Sequence, residues 1–194
     1  DNAQYMRDIQ QYHDLGYPIF GCNAEAARFE LQRYEGQQVL KELGIDSIPS
    51  KLFRDYDSAI AYVKRRKGER LVCKPNGDAD KALSYVAPKE YTTESLIYMM
   101  ERWKRDPKCK ASAAKDGFIV QDFVPGIEMG SSGYFGPGGW EPYVTENWEF
   151  KKLMNDDLGV ATGEQGTILR YTKESKLAEQ VLKPLEDYLH GLGY

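Results

Sequence analysis

Two lysines and a glycine-rich segment lie close together near the end of the sequence. Lys151 and Lys152 are adjacent, the carboxylates of Asp156 and Asp157 follow, and residues 162–167 read TGEQGT. We predict that residues 162–167 form a turn, which would expose backbone N–H groups and two hydroxyls. Cations beside exposed N–H groups suit the binding of phosphorylated anions. A solvated charged surface followed by an ordinary hairpin turn is the alternative.

A second cation, Lys74, ends the short apolar run RLVCK. A lysine at the end of a buried strand can direct a fixed ammonium group toward a phosphate. The next turn, which contains Gly77 and Lys81, could fold over that phosphate. Asp78 and Asp80 in the same turn would repel an anion, so a surface lysine beside a β-turn stays open as an alternative. The G-x-x-x-x-G-K-[ST] fingerprint is absent, which excludes a P-loop.

A third candidate site follows the best strand pattern in the chain, GFIVQDFV at residues 117–124. The pattern stops at Pro125, and such a break frees backbone N–H and C=O groups that could hydrogen-bond the edge of a purine. Glu128 could accept hydrogen bonds from two ribose hydroxyls. A polar hairpin edge fits the same residues equally well.

Composition excludes several classes of protein. The net charge of −4 and the pI of about 5.4 provide no basic field for nucleic acid or an anionic membrane. Three well-separated cysteines indicate reduced thiols in a cytoplasmic protein, and two histidines are too few for a His-based triad or a zinc centre. No window approaches 18 apolar residues, so no transmembrane segment is predicted. The chain begins Asp-Asn-Ala, and we expect it to be a piece of something longer.

The elements that must position these residues form a mixed pattern of helices and strands. Helices are predicted at residues 3–15, 23–43, 57–66, from Thr92 onward, and at residues 175–192. Asn23 and Asp57 are the predicted caps of the second and third helices, and Gly44 is the stop of the second. Pro184 can kink the last helix. Strands are predicted at residues 17–20, within 45–53, and at 70–74, 117–124, 129–135, 143–150 and 166–171. Strands joined mostly by hairpins indicate an α+β fold.

Four stretches, in this order, resemble the ATP-grasp ligases, and more narrowly the glycinamide ribonucleotide synthetase (phosphoribosylamine–glycine ligase) group. They are residues 20–33 (FG, AARFE and Arg33), residues 71–77 (LVCK and Gly77), residues 119–128 (IVQDFV, Gly126 and Glu128) and residues 149–166 (EFK, DLG and TGEQG). The order of the stretches is more specific than any single motif. The resemblance implies an α+β, ATP-grasp-like fold: a small α/β lobe plus the antiparallel-sheet part of a large lobe, truncated.

The resemblance also implies domain bounds and residue roles. Residues 1–21 would end a preceding domain, residues 22–116 would form a helix and the small lobe, and residues 117–194 would start the large lobe, with the nucleotide between the two sheets. The implied contacts to ATP are phosphate contacts from Lys74 and Arg33, a loop with Gly77 and Lys81, adenine contacts from Gln121, Asp122, Phe123 and Val124, and a ribose contact from Glu128. The implied catalytic residues facing the acceptor and the acyl-phosphate are Lys151, Thr162 and Gly163.

The implied activity is that of an ATP-dependent carbon–nitrogen ligase that joins a small carboxylate to an amine through an acyl-phosphate, with ATP and Mg²⁺. Arg33 stands in place of a lysine, the loop after Lys74 is acidic, and Glu164-Gln165 replaces the usual Gly-Met, so the acceptor pocket differs from the pattern. The magnesium ligands of the family would follow Tyr194, and we therefore expect no turnover from this chain alone. A ligase for a different acid and amine, or a non-catalytic nucleotide-binding module, are the alternatives.

Overall fold

The computed structural model describes residues 5–77, 83–155 and 158–194 of the 194-residue chain. They divide into two compact units. The first unit comprises the chain up to Glu42 and Asp46–Val124, and the second comprises Leu43–Ile45 and Pro125–Tyr194. Both units combine helices with antiparallel sheets, which confirms the predicted α+β class.

The first unit is built on a four-stranded antiparallel sheet in the order β1-β4-β2-β3. The strands are β1 (Ser50–Phe53), β2 (Leu71–Pro75), β3 (Tyr85–Val86) and β4 (Phe118–Asp122), and the helices are α1 (Met6–Asp14), α2 (Ala24–Leu31), α3 (Arg33–Glu42), α4 (Tyr56–Arg65), α5 (Thr92–Arg105) and α6 (Pro107–Lys115). Strand β2 pairs with β4 so that Lys74 lies opposite Ile119. The strands predicted at residues 70–74 and 117–124 are confirmed, and the structure shows that they are neighbours in the sheet.

The core of this unit lies on one face of the sheet. Alternate residues of β2 and β4 point to the same face, and α4 and α5 supply apolar side chains to the same cluster at helical spacing. The cluster includes Phe53, Ala59, Ile60, Val63, Leu71, Cys73, Leu96, Met100, Trp103, Phe118 and Val120. Cys73 is buried in this core, and the burial raises the pKa of its thiol.

Two predicted helix starts can be compared with the observed caps. The Asn23 carboxamide accepts a hydrogen bond from the Ala26 N–H at 2.9 Å, as predicted. The prediction for α4 was wrong by two residues, because Asp55 rather than Asp57 accepts the bond from the Ser58 N–H. An aspartate caps best from the extended conformation just before the helix, and Asp55 has it.

Three other predictions in the first unit differ from the structure. Residues 17–20 form no strand, and Phe20 is 88% exposed, so its apolar side chain has no core to join. The helix predicted from Asn23 to Leu43 is interrupted at Gln32, which separates α2 from α3. Helix α6 was not predicted, although the Asp106 cap and Pro107 at its first position are standard start signals.

The second unit contains a three-stranded antiparallel sheet in the order β5-β8-β9, and a small β6–β7 hairpin. Its strands are β5 (Met129–Ser132), β6 (Phe135–Gly136), β7 (Gly139–Trp140), β8 (Val144–Met154) and β9 (Leu158–Thr172). The prediction of a turn at residues 162–167 was wrong, because these residues lie inside β9. Phe150 of β8 pairs with Gly166, and Glu149 pairs with Thr167. Pairing with β8 therefore overrides the turn preference of the glycines.

The C-terminal segment begins at Ser175, whose hydroxyl accepts a hydrogen bond from the Ala178 N–H at 3.0 Å. Helix α7 (Lys176–Val181), a 3₁₀ turn (Lys183–Leu185) and helix α8 (Glu186–Gly191) follow. The interruption falls at Pro184, as predicted. Among the helices of the described residues, none is long and apolar enough to cross a membrane.

Candidate functional site

Lys74 lies in β2 on the face of the sheet opposite the main core. Its neighbour Cys73 points into the core, so the alternation of the strand turns the half-buried Lys74 side chain the other way. The β2 strand therefore holds the base of the Lys74 side chain on a rigid element, which is the placement predicted for a phosphate-binding lysine.

Asn76 fixes the end of this strand. It is only 7% exposed, its amide N–H donates to the Gly117 carbonyl at 3.1 Å, and its side-chain nitrogen donates to the Asp116 carbonyl at 2.8 Å. Its side-chain oxygen accepts from the Tyr34 N–H at 2.7 Å, and its carbonyl accepts from the Arg33 N–H at 2.9 Å. A single side chain therefore joins the end of β2 to the first turn of α3 and to the start of β4.

These bonds bring Arg33 to the end of the lysine strand. The Arg33 Nε donates to the carbonyl of Pro75 at 3.1 Å, next to Lys74 in the chain. The structure thus places two of the predicted phosphate-side cations at one strand end, although they are 41 positions apart in the sequence.

Gly77 lies against an acidic side chain. A Cβ atom added at Gly77 would come within 2.8 Å of the Asp116 Cβ and 3.3 Å of a carboxylate oxygen. Only a residue without a side chain fits this close approach. Lys81, Asp78 and Asp80, which complete the predicted phosphate loop, lie outside the described residues.

The predicted adenine contacts lie where β4 ends. The Asp122 N–H donates to the Pro49 carbonyl at 3.2 Å, and the Phe123 N–H donates to the Arg70 carbonyl at 3.0 Å. Gln121, a third predicted contact, is buried in β4 and lies opposite Val72. The backbone N–H groups of Asp122 and Phe123 are therefore used by the fold.

Val124 differs from these two residues. Its side chain is 59% exposed, and its backbone has no hydrogen-bond partner within residues 5–77, 83–155 and 158–194. Pro125 follows and brings no N–H of its own. The N–H and C=O of Val124 can therefore form hydrogen bonds with a ligand.

In the second unit, three charged side chains meet on the sheet. The Lys151 ammonium lies 2.5 Å from the Glu128 carboxylate and 2.8 Å from that of Glu149, which also accepts from the Asn147 side chain at 2.7 Å. Partial burial lowers the pKa of Lys151, but the hydrogen bonds to Glu128 and Glu149 outweigh it and raise that pKa overall. The bond from Lys151 lowers the pKa of Glu149.

Thr162 and Gly163 lie in β9 rather than in an open loop. The Thr162 hydroxyl donates to the Lys151 carbonyl at 2.8 Å, close to the register shift between Phe150 and Lys152. The structure therefore brings Thr162 and Lys151 together across two strands. Gly163 is exposed on β9, the edge strand of this sheet.

Sequence reasoning did not single out Glu146 as a site residue, although it is only 4% exposed. Its carboxylate accepts from the Ser175 hydroxyl at 2.6 Å and from Arg170 at 2.5 and 2.9 Å. The Ser175 bond, followed by the Arg170 bonds, lowers the pKa of Glu146. A glutamate in a strand of alternating polarity carries no signal that would reveal this burial.

The described residues contain no group of three His, Cys, Asp or Glu side chains placed to hold a metal ion. Asp156 and Asp157 lie outside the described residues. A magnesium site is therefore not assigned to any residue whose position is known.

Comparison with solved structures identifies the fold class. D-alanyl-alanine synthetase A from Vibrio cholerae superposes with a TM-score of 0.60 and 16% identity, covering 94% of this chain and 53% of its own. Phosphoribosylamine–glycine ligase from Thermotoga maritima superposes with a TM-score of 0.60 and 18% identity, covering 91% of this chain and 44% of its own. The fold is that of the ATP-grasp ligases in truncated form, as the sequence motifs implied.

Sequence relatives narrow the resemblance to phosphoribosylamine–glycine ligases. The enzyme of Listeria innocua is 26% identical over 189 residues, which are 95% of this chain and 43% of the relative. The bifunctional purine biosynthetic protein of Pichia angusta is 25% identical over 193 residues, 94% of this chain and 23% of the relative. No family model matches the sequence. The resemblance stated from the motifs is confirmed, and the chain spans less than half the length of these relatives.

Proposed function

We propose that this chain is the ATP-binding portion of an ATP-dependent carboxylate–amine ligase of the phosphoribosylamine–glycine ligase type. The observation that carries the proposal is the convergence of Arg33 and Lys74 at the end of β2, held there by Asn76. Two cations fixed at one strand end can neutralise the charge of a triphosphate without reorganisation. We assign the first unit to the small lobe and the second to the start of the large lobe.

The proposed reaction has two steps. A carboxylate oxygen attacks the γ-phosphorus of ATP, the bond to ADP breaks, and an acyl-phosphate forms. The nitrogen of an amine then attacks the acyl carbon, and inorganic phosphate leaves. Such chemistry depends on positioning and charge neutralisation rather than on a protein nucleophile.

Different residues of the chain would contact the two ends of the nucleotide and the acceptor. Lys74 and Arg33 would contact the phosphates, the Val124 backbone would contact adenine, and Glu128 would contact the ribose. Lys151 and Thr162, which lie together in the second sheet, would face the acceptor. The relatives' class implies Mg²⁺, but the described residues present no ligand cluster that fits it, so no step is routed through the metal.

The proposal predicts a nucleotide-binding defect when the strand lysine is removed. Lys74→Ala should weaken ATP binding by about 1.5–3 kcal/mol, because a charge-assisted contact is lost. Isothermal titration with ATP measures this, and Lys89→Ala, which removes an exposed lysine of the same unit, is the matched control. Equal ATP affinity of Lys74→Ala and the unmodified chain would contradict the proposal.

The acceptor can be tested separately. In a phosphate-release assay with ATP and Mg²⁺, phosphoribosylamine with glycine should give the highest rate among small acids and amines, measured on a protein of the relatives' length. A higher rate with another pair would retain the ligase class and replace the substrate. We also propose a cytoplasmic location, which the three free cysteines support.

A further inference from the structure

We infer that Arg70 is a positioning residue for nucleobase recognition, acting through Phe123 on the backbone of Val124. This inference rests on the proposed function and deepens it, since it concerns how the same site selects its base. Arg70 lies immediately before β2, outside the motifs that carried the resemblance.

Arg70 holds Phe123 in two ways. Its carbonyl accepts the Phe123 N–H at 3.0 Å, and its guanidinium lies 3.7 Å from the centroid of the Phe123 ring. A guanidinium over an aromatic face is attracted by the negative charge of the ring. Backbone and side chain of Phe123 are thus both fixed by one residue.

The guanidinium is itself held in place. Its Nε donates to the Ala87 carbonyl at 2.7 Å, and Ala87 is fully buried, with its own N–H bonded to the Leu71 carbonyl at 3.3 Å. The charge therefore cannot swing away from the ring without leaving a hydrogen bond unmade. Arg70 links β2, the segment after β3, and the chain leaving β4.

The residue before Phe123 is clamped independently. The Asp122 carboxylate accepts from Arg66 at 2.8 Å, and Arg66 also donates to the Tyr62 hydroxyl at 2.6 Å and pairs with Glu69. With the side chains of Asp122 and Phe123 both held, the direction of the chain at Val124 is set before any ligand arrives. Such preorganisation lowers the entropic cost of binding.

The contacts of Arg70 indicate a role in binding the nucleobase and no role in binding the phosphates. Its contacts reach Phe123 and Ala87, whereas Arg33 and Asn76 hold the phosphate-side end of β2. Loss of the Arg70 side chain should free the Phe123 ring and loosen the Val124 backbone that follows, although the bond from the Phe123 N–H to the carbonyl of residue 70 remains. The Lys74 end of the strand should keep its bonds. Variants of Arg70 and of Lys74 should therefore lose different parts of the binding energy, the first for the base and the second for the phosphates.

The test compares two probes, ATP and inorganic tripolyphosphate, by isothermal titration. Tripolyphosphate has the phosphate chain but no base. Arg70→Ala should weaken ATP binding roughly tenfold, the cost of reordering about one backbone residue. The affinity for tripolyphosphate should be unchanged. The substitution should also reduce the preference for ATP over GTP. Lys74→Ala should weaken both probes, and Arg65→Ala, an exposed arginine on α4, should weaken neither.

Phe123→Leu is a second variant, which retains an apolar side chain and the backbone bond but removes the aromatic face. It should reproduce the selective loss of ATP, and thermal melting of both variants shows whether they are folded. Unchanged ATP affinity in both variants, or an equal loss of tripolyphosphate, would overturn the inference. If the unmodified chain binds neither probe, the proposed function fails and the inference falls with it. If it binds tripolyphosphate as tightly as ATP, only the inference fails.

Discussion

The ammonium of Lys151 lies 2.5 Å from the carboxylate of Glu128, a residue 23 positions earlier in the chain. Glu149 lies 2.8 Å from the same ammonium. One cation between two anions leaves an excess negative charge on this part of the sheet. In the proposed function, a nucleotide or acceptor that binds here would have to exchange at least one of these pairs for its own contact.

The Glu128–Lys151 pair should contribute little to folding. Both side chains are more than a third exposed, so water screens their attraction. A double-mutant cycle with Glu128→Gln and Lys151→Met should give a coupling of about 0.2–1 kcal/mol, measured by urea denaturation, that vanishes near 1 M salt. A coupling that persists at high salt would show a pair less screened than its exposure indicates.

The pH dependence of the cluster follows from its two shifted groups. The folded pKa of Glu149 is lowered, so its stabilisation is complete above the ordinary value of 4.5 and is lost as the pH falls through the lower folded pKa. The folded pKa of Lys151 is raised, so its contribution is complete below 10.5 and is lost as the pH rises through the higher folded pKa.

The stability difference between the unmodified chain and Lys151→Met should therefore be constant between about pH 5 and pH 10 and shrink on either side. Thermal melts across this range measure it. Lys176→Met, which removes an exposed lysine in α7, is the control and should leave the stability close to that of the unmodified chain. A difference that grows below pH 4 would mean that the carboxylates do not stabilise Lys151 in the folded state.

Local signals in the sequence predicted much of the fold. Apolar spacing located α4, α5, β2 and β4, and Asn23 and Pro184 marked real boundaries. The signals failed where tertiary contacts decide. Residues 162–167 carry turn composition, yet pairing with β8 makes them a strand. Residues 17–20 carry strand composition, yet they form no strand.

The candidate site shows the same division. Lys74 and Val124 could be selected from the sequence because each follows a strong strand pattern. Asn76 and Arg70 could not be, since their side-chain partners are 17 to 53 residues away and each residue type is ordinary near a strand end. The sequence Pro-Asn-Gly after Lys74 is typical of a turn, and nothing in it indicates that the side-chain amide of Asn76 joins three elements.

Ser175 should be both a helix cap and the main reason for the lowered pKa of Glu146. Ser175→Ala removes the acceptor for the Ala178 N–H, which should cost about 1 kcal/mol in the free energy of unfolding. It also removes the donor to Glu146, so the pKa of Glu146 should rise toward its ordinary value. Stability should then begin to fall at a higher pH as the solution is acidified.

Carboxyl-carbon NMR titration of Glu146 measures the shift directly, and urea denaturation measures the loss of the cap. Ser132→Ala, an exposed serine in β5, is the control and should leave both unchanged. If the pKa of Glu146 stays low in Ser175→Ala, then Arg170 rather than Ser175 determines it.

Asn76→Ala should strongly destabilise the first unit. The substitution leaves the Tyr34 N–H and the Asp116 carbonyl without their partner at a position that is 7% exposed. Two unsatisfied groups should cost about 2–4 kcal/mol in the free energy of unfolding, measured by urea denaturation. The exposed Asn155→Ala should cost far less.

Because Asn76 also holds α3 at the strand end, tripolyphosphate binding should weaken under conditions where the variant is still folded. Full phosphate affinity in folded Asn76→Ala would show that Arg33 reaches the site without this support.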